Sequence, residues 1–113
     1  MPEAKRRDLF PGALEMMVLR LIEEAPAHGY ALVQRIRERS RNLLEVEEGS
    51  LYPALQRLLR AGLVRASWEV SGTGRRVRTY RLTPAGARHL TAEVSRFQEM
   101  LRGVSWVVAP GET

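Results

Sequence analysis

Apolar positions recur along the chain in a few distinct rhythms. In "PGALEMMVLRLIEEA" the residues Leu14, Met17, Val18, Leu21, Ile22 and Ala25 step by threes and fours, the spacing of one helical face. This predicts an amphipathic helix from near Pro11 to just before Pro26. "PAHGY" reads as a turn. "YALVQRIRERS" follows with Leu32, Val33 and Ile36 inward and Arg35, Arg37, Glu38 and Arg39 largely outward, a second, shorter helix.

The stretch "EEGSLYPALQRLLRAGLV" has leucines at helical spacing but also Pro53, and a proline in a helix interior costs about 3 kcal/mol. A start at Ser50 resolves the conflict. With Ser50 as N-cap, Pro53 falls at the third helical position, where an N–H has no intrahelical acceptor. Leu51, Leu55, Leu58 and Leu59 then share one side; Ser50, Pro53, Gln56, Arg57 and Arg60 share the other, with Tyr52 at the boundary. Gly62 is placed to end the helix.

From Val64 the rhythm changes to alternation. Val64, Ala66, Trp68 and Val70 interleave with Arg65, Ser67 and Glu69, and "SGTG" supplies a turn, so a β-hairpin is expected. The returning strand sets Arg76, Arg78, Tyr80 and Leu82 on one face, and Arg75, Val77, Thr79 and Arg81 on the other. Two strands alone are marginal, so the hairpin must lean on the helices, with Trp68 expected to pack beneath it. Thr83-Pro84 then opens a long helix. Along it Ala87, Leu90, Val94, Phe97, Leu101, Val104 and Val108 step three, four, three, four, a heptad stripe. Such a stripe packs either on the chain's own core or on a second copy; for a final helix following a hairpin, pairing into a homodimer is the expectation.

Composition narrows the function. Of 113 residues, 44% are hydrophobic and 27% charged, ordinary for one globular domain, and no apolar run approaches the ~18 residues that span a membrane. No secretory signal is visible, so a cytoplasmic protein is expected, without membrane contact. Zero cysteines exclude disulfides and thiolate metal sites, and two histidines, His28 and His89, make a zinc site improbable. The net charge of +5 is unevenly spread: arginines 57, 60, 65, 75, 76, 78, 81 and 88 face a lone acid, Glu69, in that segment. A concentrated positive field suits a polyanion. No nucleophile–base pair, phosphate loop or metal cluster is evident, so no enzyme activity and no cofactor are expected.

Three helices, a two-stranded hairpin and a long helix make a mainly α chain in the winged helix-turn-helix arrangement, plus a C-terminal dimerisation helix. The expected divisions are a flexible basic arm at 1–9, the winged domain at 10–83, the dimerisation helix at 84–108 and a tail at 109–113. In that arrangement the third helix reads the major groove and the wing reaches neighbouring backbone. Gln56 suits adenine and Arg57 guanine, Ser50 suits a phosphate, and Arg75 and Arg76 suit phosphates or a narrow minor groove. Double-stranded DNA is therefore the expected partner, a protein- or RNA-binding winged helix the alternative.

"HGYALVQRI", "VEEGSLYPALQRLLRAGLV" and "RRVRTYRLTPAGARHL" together resemble the PadR family of bacterial transcriptional regulators. The resemblance runs from about Phe10 to Leu101. It implies a homodimeric repressor that binds near-palindromic operators and dimerises through its last helix. By motif position it places Tyr30, Ser50, Tyr52, Pro53, Gln56 and Arg57 at DNA, with Arg75, Arg76 and Arg78 in the wing. Some members take planar aromatic effectors at the dimer interface with a tryptophan of the final helix. Here that implies a pocket of Met17, Phe97, Met100 and Trp106, with Met16 nearby.

Overall fold

The computed structural model describes residues 9–109; the expected basic arm, apart from Leu9, and most of the tail lie outside the described residues. Four helices and one hairpin follow in the order α1 (Ala13–Glu24), α2 (Gly29–Arg39), α3 (Glu48–Arg60), β1 (Val64–Val70), β2 (Arg76–Leu82) and α4 (Pro84–Val108). Among these residues no helix is long and apolar enough to cross a membrane.

The core forms where the apolar faces of α1, α2 and α3 meet. Leu19, Leu32, Ile36, Leu51 and Leu55 are fully enclosed there, with Val18 and Leu90, each such side chain contributing about 1.5–3 kcal/mol on burial. Polar contacts also join the end of α1 to α2. Arg35 donates to the Ala25 carbonyl at 3.2 Å, and Arg39 pairs with Glu24 at 2.5 Å. That guanidinium, through its hydrogen bond, holds the Glu24 carboxyl below its ordinary range.

α3 begins earlier than the sequence suggested. Glu47, rather than Ser50, is the N-cap; its carbonyl accepts from the N–H groups of Ser50 at 3.0 Å and Leu51 at 3.1 Å. Pro53 is therefore inside the helix. Its missing N–H leaves the Gly49 carbonyl without its usual partner, and the helix tolerates this because Gly49 and Pro53 are both exposed and water can satisfy the carbonyl. The C-terminus follows expectation: Gly62, at φ +74, donates to Leu59 O and Leu63 to Leu58 O, both at 3.0 Å, a Schellman closure.

β1 and β2 pair antiparallel, with Ala66 opposite Tyr80 and Trp68 opposite Arg78; Val70 pairs with Arg76, so Arg75, expected in the returning strand, lies in the turn. The hairpin is steadied by a third segment. Tyr80 donates to Ala27 O at 2.9 Å and Ala27 donates back to Tyr80 O at 3.3 Å, so the α1–α2 turn covers one edge of β2. Val64 and Tyr80, at the hairpin base, lie in the core.

α4 is locked on at its first turn. Thr83 Oγ1 accepts from Gly86 N–H at 3.0 Å and donates to Gly62 O at 2.7 Å, and Thr83 N–H reaches Leu63 O at 3.1 Å. The heptad stripe then divides. Leu90, expected in the intermolecular stripe, is 1% exposed in the chain's own core. Ala87, Val94 and Phe97 are half-buried, Val94 against that core and Phe97 6.2 Å from Phe10. Beyond this point α4 projects, leaving Leu101 and Val104 each 49% exposed and Val108 more so.

A Cβ on Gly86 would lie 2.1 Å from the Leu63 carbonyl oxygen. Gly86→Ala is expected to lower stability by about 1–3 kcal/mol, read as a lower urea midpoint at unchanged slope.

Candidate nucleic-acid interface

Because Leu51, Ala54, Leu55 and Leu58 face inward, helical geometry turns Gly49, Pro53, Gln56 and Arg60 outward as a ridge. A groove runs along each side of this ridge, and the two differ in chemistry.

The first groove, about 860 Å³, lies between the ridge, the start of α2 and the overhanging wing. Tyr30, Tyr52, Gln56, Arg75, Arg76 and Arg78 all line it. The Tyr52 phenol leans over α2, so that a Cβ on Gly29 would meet its oxygen at 2.7 Å; this tyrosine packs two helices together and still presents its edge to the groove. Beneath, burial raises the Tyr80 phenol above its ordinary value, against an opposing pull from Arg78. The one acid of the basic segment is turned away: Glu69 pairs with Arg81 at 3.0 Å and accepts from Ser67 at 3.2 Å. Among the described residues, Arg75, Arg76 and Arg78 have no carboxylate within ion-pair reach, although Glu48 stands at the groove's far rim.

The second groove, about 680 Å³, separates α3 from the start of α1, and Ser50 and Arg57 open onto it beside Glu15, Glu45 and Glu47. Arg57 is engaged there. Its Nε donates to Glu15 Oε2 at 2.7 Å and its Nη2 lies 2.6 Å from the same oxygen. Six of the nine residues singled out from sequence thus converge on one basic, aromatic groove, Ser50 and Arg57 face an acidic one, and Pro53 sits between.

Trp68 was misjudged from sequence. It is 58% exposed and lines the first groove; it does not pack beneath the wing. The signal was the alternation that put Trp68, Arg76 and Arg78 on one face, but only the length of the hairpin relative to the helical core shows that this face runs past its support. Glu15 was also missed, since nothing local links it to Arg57.

Of the residues expected around an effector pocket, Met17, Phe97, Met100 and Trp106, this chain brings Phe97 and Met100 together. A cavity of about 280 Å³ between α1 and α4 is lined by Phe10, Met16, Phe97 and Met100, with Glu93 and Arg96 at its edge. Met17 packs half-buried against the core instead, because it lies one helical step from Met16. Trp106, exposed, stands about 9 Å further along α4 than Met100 at 1.5 Å per residue.

The sequence pattern of the transcriptional regulator PadR-like family matches residues 18–92. The chain belongs to the PadR-like family. It is 36% identical over 98 residues to the transcriptional regulator Rv3488 of Mycobacterium tuberculosis, covering 87% of this chain and 88% of that one. Its fold is similar to that of a PadR family transcriptional regulator from Eggerthella lenta, with TM-score 0.76 and 30% identity over 89% of this chain and 86% of the other. A PadR-like transcriptional regulator from Bacillus cereus superposes with TM-score 0.72 at 26% identity, over 90% and 96% of the two chains. Its fold is thus that of the PadR-like winged-helix regulators. This PadR-like chain is a transcriptional regulator and not an enzyme.

The Glu15–Arg57 pair is half open to water, and such pairs contribute about 0–1 kcal/mol. Glu15→Gln is expected to leave the thermal midpoint nearly unchanged while releasing Arg57, seen as a line-broadened or shifted Arg57 Nε–H resonance.

Proposed function

We propose that this regulator binds duplex DNA as a homodimer and represses transcription in the cytoplasm from an inverted-repeat operator. The ridge of α3 enters the major groove, Gln56 meets a base edge, and the wing grips the adjoining backbone. The observation that carries this reading is the first groove: three arginines with no ion-paired carboxylate among the described residues, facing two tyrosines and Gln56 beside an exposed helix face. Neighbouring cations that carry no ion-paired carboxylate repel one another, and a phosphate backbone relieves that repulsion with release of counterions.

Arg57 joins the reading only by exchanging Glu15 for a guanine or a phosphate, and Ser50 only by a phosphate that comes within its reach from the ridge side. Gln56 therefore takes the larger share of base recognition. Two copies pair through the free half of α4, where Met100, Leu101, Val104, Trp106, Val107 and Val108 are exposed, an apolar length that a second helix would cover. Phe97 borders that surface, and Val94 and Ala87 carry the same stripe back towards the start of α4, where Leu90 joins the protomer core. Pairing sets two α3 ridges about one duplex turn (~34 Å) apart. The Phe97–Met100 cavity beside this surface suits a small planar aromatic effector, whose entry would shift α4 against α1 and change that spacing.

A mobility-shift titration on the DNA upstream of its own gene, at graded salt, tests the reading: steep loss of affinity with salt and a symmetric footprint are expected, and indifference to duplex DNA would refute it. Gln56→Ala is expected to lower discrimination at one base pair of each half-site by about 1–3 kcal/mol, measured by competition between single-base operator variants. Leu101→Glu with Val104→Glu is expected to yield folded monomers by sedimentation, since both side chains lie outside the protomer core, with DNA affinity lowered accordingly.

A further inference from the structure

Trp68 is the largest side chain of the wing and is 58% exposed. Its cross-strand neighbour is Arg78, and Arg76 stands two residues further along the same face of β2. The Arg76 guanidinium carbon lies 4.8 Å from the indole centroid and that of Arg78 6.0 Å. Both guanidiniums therefore lie over the one indole, within the range of cation–π attraction. The same strand face is core at Val64 and Tyr80 but overhangs the first groove at Trp68, so this cluster points at the ridge of α3 across an open channel.

Long arginines at a hairpin tip ordinarily sample many rotamers, and gripping a phosphate means losing that freedom. An indole that already holds two guanidiniums removes part of the loss beforehand, and its attraction offsets the repulsion between two cations on neighbouring same-face positions. Its uncovered edge adds an apolar wall, which suits the deoxyribose carbons that lie between successive phosphates. Tyr30 and Tyr52 form the facing wall.

We propose that Trp68 is a positioning residue that holds Arg76 and Arg78 over the groove between wing and α3 and packs against the sugar–phosphate backbone of the duplex strand lying there. This deepens the DNA-binding reading and rests on it. Backbone gripping is independent of sequence, so the assignment can be tested on a mixed-sequence DNA duplex with the full chain, by fluorescence anisotropy at graded salt.

Four proteins are compared with the unsubstituted chain: Trp68→Leu, Trp68→Tyr, Arg76→Ala, and Trp68→Leu combined with Arg76→Ala. Trp68→Leu is expected to weaken binding about two- to fivefold per protomer, and Trp68→Tyr, which keeps an aromatic face, to restore most of that loss. In the Arg76→Ala background Trp68→Leu should cost clearly less than it does alone, because the arginine through which it acts is gone. Equal affinity and salt dependence for Trp68→Leu and the unsubstituted chain would overturn the assignment while leaving the DNA reading intact. So would a loss undiminished by Arg76→Ala, since it would mean that the indole acts independently of the arginine. An unsubstituted chain that does not bind duplex DNA would overturn both readings together.

Discussion

Leu51, Leu55 and Leu58 are buried against the helices that precede them, and that burial fixes the rotation of α3 about its axis. Turning the helix by one residue would expose leucines and bury Gln56 in one direction or Arg57 in the other, a polar group without a partner in an apolar core. The outward ridge of Gly49, Pro53, Gln56 and Arg60 follows from this packing, and so do the two grooves beside it. Pro53 belongs to the same logic, because the carbonyl it orphans lies on the side where solvent reaches.

The wing takes its position from two backbone contacts rather than from its own sheet. Ala27 pairs with Tyr80, and Thr83 ties the end of β2 to the close of α3 through Gly62 and Leu63. Both lie at the hairpin base. The tip, with Trp68 and the arginines, is cantilevered over the groove without core beneath it. Charge is sorted by the same geometry: Glu69 lies on the outer face with Arg81, which leaves the inner face basic. On the other side of the ridge, Glu15 answers Arg57. α3 is thus flanked by an open cationic channel and a closed ion pair.

α4 has two jobs within one heptad pattern. Its first half completes the protomer core through Leu90 and Val94; its second half leaves that core with an apolar stripe uncovered. A regular heptad cannot reveal where the change falls, because leucine facing a neighbouring helix looks the same whether that helix belongs to its own chain or to another.

The sequence by itself determined the elements, their order, the faces of the hairpin strands and the identity of most groove residues, since these depend on periodicity and on turn and cap chemistry between near neighbours. The Thr83 cap and the Gly62 closure were legible for the same reason. The tertiary structure alone decided the rest. It moved the start of α3 from Ser50 to Glu47, whose carbonyl takes the first helical hydrogen bonds without a side-chain cap. It joined Arg57 to Glu15 across 42 positions, exposed Trp68, enclosed Leu90, and put Met16 rather than Met17 beside Phe97. Each of these depends on how far one element extends past another, or on which of two adjacent faces meets a distant surface, and neither quantity is carried by local sequence.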